Sequence, residues 1–301
     1  MTTSKKILFV GLNTVDMQFF VNGFPKPNTK TKAKQNEIAA GGPATNAAIA
    51  CAALGSQTEL LSPIGKHSLS RFLINDIIKH GVQLLDPIRD IDSKPIFASI
   101  ITDEINGERT IFSYHPEVNH TLLIEELELE NYHEYSMALF DGFYPDLAIP
   151  IAELFKQHGI TTVLDGGSWK SGLSELLPFI DIAICSSDFY VPGTNSISDL
   201  FESLKDYDIQ KIAITQGADS IVCFNKKKVT ELVVPQVKAV DTLGAGDFIH
   251  GAFCHYYALE SNFELALQKA SVVASESCTF NGTRSWLQNI DAIKKTIEQI
   301  F

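Results

Sequence analysis

Short apolar runs recur along the chain: Ile7 to Val10, Glu59 to Ser62, Met137 to Phe140, Thr161 to Leu164, Ile182 to Cys185 and Ile212 to Thr215. Between them lie longer segments, such as Ala148 to His158 and Ile197 to Tyr207, whose apolar residues return at helical spacing. Strands alternating with amphipathic helices build βαβ units. The pattern therefore predicts an α/β protein, a Rossmann-like and mostly parallel sheet with helices on both faces. From about Asp241 onward it turns helical, with helices expected over Gly246 to Leu259, Phe263 to Cys278 and Asp291 to Phe301.

Two regions break the rhythm. Asp16 to Ala40 is too long for a tight turn between the first strand and a helix starting near Ala44, and it contains the alternating, β-prone Met17 to Val21. Pro95 to Pro116 alternates in Ile96 to Ile100 and again in Arg109 to Tyr114, with an Asn106-Gly107 turn signal between them. Ordinary surface hairpins are the plainer reading. Both regions fall beside the motif-bearing loops, however, which favours a small β-sheet lid drawn from about 14–41 and 95–116. No repeat, low-complexity tract or linker divides the chain, so residues 1–301 read as one domain with a lid.

Composition narrows the function. A chain that is 45% hydrophobic and 20% charged has ample apolar material for a large core. A formal net charge of −12 argues against nucleic acid, where affinity comes from Lys and Arg neutralising phosphates. The triplet Lys226-Lys227-Lys228 reads as a solvated hairpin tip between Val222-Cys223-Phe224 and Val229. Cys51, Cys185, Cys223, Cys254 and Cys278 are widely spaced inside apolar segments, as buried thiols of a reducing compartment would be. The chain starts without a signal-peptide pattern, and no apolar run reaches the ~18 residues that span a bilayer. The expectation is a cytoplasmic protein without membrane contact.

The strongest chemical signal is Asp241-Thr242-Leu243-Gly244-Ala245-Gly246-Asp247, just before a helix-period segment. Small residues whose N–H groups open onto a helix N-terminus make an anion site suited to a phosphate. Asp247 then lies in the first helical turn, where the dipole favours its ionised form. A carboxylate beside an anion cradle suits proton acceptance from a hydroxyl that attacks phosphorus. A lone G-x-G-D is more often a turn with a capping Asp; the pair of Asp flanking the glycines reverses that. The string resembles the D-T-x-G-A-G-D signature of the ribokinase (PfkB) family of carbohydrate kinases.

A second segment, Gly41-Gly42-Pro43-Ala44-Thr45-Asn46 followed by an alanine-rich stretch ending in Leu54-Gly55, resembles the family's G-G-x-x-x-N helix. Paired glycines allow close backbone approach, and Asn46 both donates and accepts, as vicinal sugar hydroxyls require. By itself the stretch is more often a small-residue helix packed tightly against a sheet. Asp16, beyond the first strand, stands where ligands of open α/β sheets bind, and matches the family's sugar-binding Asp. Arg109 matches a lid arginine that reaches substrate or the transferred phosphate in several members; an ion pair with Glu108 or Glu104 is the alternative. Thr215 and Gly217 match the strand and turn beside the nucleotide phosphates, Asn281 falls near the adenine, and Asp241 matches the residue beside which some relatives bind a monovalent cation such as K⁺.

The resemblance implies a ribokinase-like fold, MgATP as donor, a hydroxymethyl group as acceptor, often a lid-mediated homodimer, and Asp247 as base beside Gly244, Ala245 and Gly246, with Asp16, Gly42, Asn46 and Arg109 on the sugar. Many members carry N-x-x-E to order Mg²⁺, whereas the matching place reads Ser186-Ser187-Asp188-Phe189-Tyr190, so magnesium falls to ATP phosphates and water. Ketohexokinase-like members also lack that motif, but they have Asn where this chain has Pro43. No strand-linked G-x-G-x-x-G supports a nicotinamide enzyme, no G-x-x-x-x-G-K-[ST] a P-loop kinase, and no H-E-x-x-H a metal hydrolase; His115 and His120 read as lid or loop residues. A free sugar such as fructose or ribose leads, ahead of a sugar phosphate or sugar acid received by Lys26, Lys30, Lys32 and Lys34, and of a nucleoside stacked on Phe19 or Phe20. Those lysines read equally as a solvated edge strand. A catalytically silent sugar- or nucleotide-binding regulator is the rival from outside the enzymes.

Overall fold

The structure, a computed structural model, describes residues 5–105, 107–116, 129–225 and 228–301. Asn106, His120, Lys226 and Lys227, which entered the expectations above, lie outside them. In chain order the elements are β1 (Lys6–Val10), β2 (Thr14–Val21), β3 (Gln35–Gly41), α1 (Pro43–Leu54), β4 (Thr58–Leu61), α2 (Ser70–Lys79), β5 (Val82–Leu85), β6 (Phe97–Asp103) and β7 (Arg109–Tyr114). There follow β8 (Tyr135–Phe140), α3 (Pro145–Gln157), β9 (Thr161–Gly166), α4 (Leu173–Leu176), β10 (Ile182–Ser186), α5 (Ile197–Lys205), β11 (Lys211–Gln216), β12 (Asp219–Asn225), β13 (Lys228–Leu232), α6 (Ala245–Glu260), α7 (Phe263–Ser277) and α8 (Ile290–Ile300).

Nine strands form one sheet in the order β13, β12, β11, β10, β9, β8, β1, β4, β5. All its pairings from β11 to β5 are parallel, and β12 and β13 add an antiparallel edge. Both faces are covered. Side chains alternate across a strand, so Ile7 and Phe9 of β1 point into a core with α1, α6 and α7, while Leu8 and Val10 point into another with α3 and α5. Such two-sided burial is what an apolar run without alternation requires. Glu59 is the exception in those runs: it is buried, ion-paired with Lys6 at 2.7 Å and bonded by the Tyr135 hydroxyl.

The second sheet has four strands in the order β3, β2, β6, β7, and is drawn from the two irregular regions of the sequence. β2 runs parallel to β6, and β3 and β7 close the sides antiparallel. The lysines before β3 sit in an exposed loop and not in an edge strand, because β3 begins only at Gln35; Lys34 pairs with Glu104 at 2.8 Å. Alternation in β2 sends Phe20 into complete burial and leaves its neighbour Phe19 partly open. All five cysteines are buried free thiols. Among the described residues no helix is long and apolar enough to cross a membrane.

Helices α1 and α6 meet with almost no side chain between them. A Cβ at Gly251 of α6 would lie 2.1 Å from the carbonyl oxygen of Ala47 in α1, so only glycine permits this approach. Gly251→Ala should therefore cost roughly 1–3 kcal/mol as the helices are pushed apart, read as a lower denaturant midpoint at unchanged slope. A variant as stable as the parent would show that the contact yields freely.

Candidate active site

The chemistry-bearing residues converge at the carboxyl ends of the parallel strands and on the lid above them. Gly244 takes a left-handed conformation (φ 78°) that turns the chain into α6, leaving Ala245 and Gly246 at the helix N-terminus and Asp247 in its first turn. A cavity of about 380 Å³ opens there, and Thr215, Gly217, Thr242, Ala245 and Gly246 line it together with Arg109 of the lid. Ser186, Ser187 and Asp188 line it too, so the segment that departs from N-x-x-E still faces this cavity. Asn281 stands apart from the lining. After α7 the chain turns toward the lid instead, where the Gly282 N–H donates to Asp241 at 3.0 Å and a Cβ on Gly282 would strike Glu37 of β3.

Asn46 links α1 to Asp247: its Nδ2 donates to Asp247 Oδ2 at 2.7 Å. Asp16 lies on the neighbouring lid strand, accepts from the Thr14 hydroxyl at 2.5 Å, and has its carboxyl pKa pushed up by burial. Gly41, on the strand paired with β2, is what makes room for it, since a Cβ there would lie 1.9 Å from Asp16 Oδ2. Gly42 follows with φ 97°, its missing Cβ 2.4 Å from the Leu12 carbonyl oxygen, and only then does Pro43 start α1.

Electrostatics set Asp247 apart. Burial, reinforced by the negative charge of Asp165, pushes its pKa up to about 7, against the Asn46 hydrogen bond and the His250 charge that pull it down. A carboxyl that titrates near neutrality is suited to general-base work.

Three side chains that the sequence reading did not single out complete the site. Arg284, its side chain 11% exposed, donates to the Ala40 carbonyl, to Asn46 Oδ1 at 3.0 Å and to the Thr283 carbonyl at 3.1 Å, with its Nε 3.7 Å from Asp76. Burial would raise the Asp76 carboxyl, but Lys79, the Ala40 N–H and Arg284 more than offset this and hold it low. Asp141, at the end of β8, gathers the N–H groups of Leu12 (2.7 Å), Phe143 (3.0 Å) and Ala44 (3.2 Å), and burial pushes its pKa up to about 6. Asp165 closes β9, 5% exposed, with one carboxylate oxygen left without a partner. A polar residue at the end of an apolar run was the available signal for Asp141 and Asp165; nothing local marks Arg284.

The lid is bolted to the signature loop. Gln18 Nε2 donates to Asp241 Oδ2 at 2.7 Å and to Thr102 Oγ1 at 2.8 Å, and Arg109 donates to the Thr242 hydroxyl. With the Leu243 N–H on its other oxygen at 2.9 Å, the Asp241 carboxylate accepts three N–H donors.

Comparison with known proteins agrees with this architecture. Residues 4–289 match the model of the pfkB family carbohydrate kinases. Deoxyribokinase of Salmonella typhimurium is 26% identical, the match covering 95% of this chain and 96% of the relative. Ribokinase of Haemophilus influenzae is 25% identical, covering 98% of each. Among solved structures, ribokinase from Thermotoga maritima superposes with a TM-score of 0.79 at 21% identity over 97% of this chain and 99% of that one. Arabidopsis thaliana ribokinase complexed with ribose and ATP does so at 0.76 and 20% identity over 98% and 99%. The chain belongs to the pfkB family of carbohydrate kinases and is a phosphotransferase acting on sugars.

Proposed function

We propose that the protein transfers the γ-phosphoryl group of ATP to a hydroxymethyl group of a neutral free sugar, fructose- or ribose-like, with Asp247 as the base. The observation that carries this reading is Asp247 in the first turn of a helix whose N-terminus opens on a cavity lined by Thr215 and Gly217, with burial pushing its pKa up to about 7. The family's named members and the ribose and ATP bound by the Arabidopsis relative support donor and acceptor class.

Sugar hydroxyls bind to Asp16, the Gly42 backbone and Asn46, whose amide leaves Asp247 to the reacting hydroxyl. Arg109 brings the lid down over the cavity and water is excluded. Asp247 accepts the proton as the hydroxyl oxygen attacks phosphorus in line, and the N–H groups of Ala245 and Gly246 stabilise charge on the transferred group. Bound with ATP, Mg²⁺ would be held by the phosphates and water, with Asp188 the carboxylate of the cavity lining available to order its shell, and would supply neutralisation of phosphate charge.

Neutral acceptors are favoured over sugar phosphates and sugar acids because the guanidinium beside Asn46 is already committed to Ala40, Thr283, Asn46 and Asp76. The carboxylates Asp16 and Asp247 would repel an anionic acceptor. The exposed Ile111, Phe112 and Tyr114 of β7, open by 49%, 65% and 63%, support pairing with the lid of a second copy.

Acceptor-dependent ADP release with MgATP should appear for free pentoses or ketohexoses and be weak for phosphosugars and sugar acids. Asp247→Asn should lower that turnover by roughly 10²–10⁴-fold while ATP binding persists. Near-parental turnover would remove Asp247 as base, and a preference for anionic acceptors would overturn the substrate class. The base must be ionised, so kcat/KM should fall as pH drops through about 7; a profile flat from pH 8 to 5 would contradict the site's electrostatics. Sedimentation should give a dimer for the parent and a monomer for Phe112→Asp, whereas a monomeric parent would exclude lid pairing.

A further inference from the structure

β3 lies at the margin of the lid sheet, and near its end Ala40 stands opposite Val15 of β2. Both main-chain polar groups of Ala40 find partners outside the sheet. Its N–H donates to Asp76 Oδ2 of α2 at 2.9 Å, and its carbonyl accepts from Nη2 of Arg284. Asp76 and Arg284, with Nε 3.7 Å from Oδ2, thus take up this edge as a further strand would. The same guanidinium reaches past the Gly41-Gly42 turn, where Nη1 donates to Asn46 Oδ1 at 3.0 Å and to the Thr283 carbonyl at 3.1 Å. The other end of that amide is bound as well, since Nδ2 donates to Asp247 Oδ2 at 2.7 Å. Turned over, the amide would set its NH₂ against a guanidinium and its oxygen against a carboxylate, and both hydrogen bonds would be lost.

We infer that Arg284 is a positioning residue for phosphoryl transfer, fixing which way the Asn46 amide faces and tying that amide to the end of the lid strand. This rests on the reading of Asn46 as a sugar contact and Asp247 as the base. With one hydrogen bond made at each end, the amide keeps one N–H and one lone pair in set directions for a pair of sugar hydroxyls. An amide free to rotate would offer those hydroxyls either of two arrangements, and only one of them also holds Asp247. Arginine suits the task because its planar fork sends Nη1 to α1, Nη2 to β3 and Nε toward α2, whereas the ammonium of lysine is a single point. Arg284 comes from the stretch between α7 and α8 and is not among the residues lining the cavity beside Gly246. Its influence on the reaction therefore passes through Asn46.

Two readouts test this role. In full-length protein labelled with ¹⁵N-asparagine, the Asn46 side-chain amide, assigned by its loss in Asn46→Ala, should exchange with solvent roughly tenfold faster in Arg284→Met, as one lost hydrogen bond to a charged group implies. An unchanged rate overturns the inference. That rate needs no turnover, so it decides even if neither sugar below is an acceptor. In ADP release with MgATP and D-ribose or D-fructose, Arg284→Met should lower kcat/KM for the sugar by roughly 10–100-fold with the KM for ATP unmoved, and should add almost nothing in an Asn46→Ala background. Additive losses, which a purely structural arginine would give, overturn it. Arg284→Lys keeps a cation beside Asp76 but lacks the fork, and it serves if Arg284→Met does not fold: both readouts should move the same way, and parental values are equally fatal. Parental turnover by Asn46→Ala would instead sink the acceptor-site reading and this role with it, whereas a damaging Asn46→Ala with additive Arg284→Met sinks the role of Arg284 alone.

Discussion

Everything at the working end of this molecule depends on keeping acidic side chains out of water without letting them go neutral altogether. Asp16, Asp141, Asp165 and Asp247 gather near the carboxyl ends of the strands, and burial raises the carboxyl of at least three of them. Desolvation of that kind is unfavourable unless every charge finds donors. For Asp141 the protein supplies them from backbone: three N–H groups converge on it, and the loop after β1 has to pass so close that a side chain at Gly11 would overlap the carboxylate. Arg284 does the same for Asp76 and the Gly-Gly helix. Asp247 receives a single side-chain amide, and one oxygen of Asp165 receives no donor.

Much of this was legible in the sequence because it is local. Apolar run length distinguishes a doubly covered strand, small residues before a helix-period segment mark an anion cradle, and the six named runs all emerge as strands of the large sheet. The lid was legible for the same reason, as alternation where a crossover helix should have begun. What could not be read is what depends on residues far apart. Arg284 reaches Ala40 and Asn46 across more than two hundred positions, and no periodicity predicts such a meeting. The stretch of lysines before β3 failed as a strand because polar sequence alone does not fix where pairing begins.

The lid is held at two points on one loop. Gln18 reaches Asp241 and Arg109 reaches Thr242, so the first two residues of the phosphate-side signature are also the lid's anchor. Gly282 brings the turn after α7 to the same carboxylate. Acceptor strand, phosphate loop and the segment leading to Arg284 therefore share a junction. Movement of the lid thus reaches the Asp241–Asp247 loop without any intermediary element.

The contact of Gly251 with Ala47 has a consequence for how this scaffold can change its acceptor. Ala47 precedes nothing but the next turn of α1 and directly follows Asn46, while Gly251 sits one turn beyond Asp247. The spacing of the α1 and α6 backbones that carry Asn46 and Asp247 is thus a caliper closed by main chain. A lineage adapting this protein to a longer or bulkier sugar cannot widen that gap by ordinary substitutions. It must make room on the lid, where strand faces can be rewritten while the jaws of the caliper stay shut.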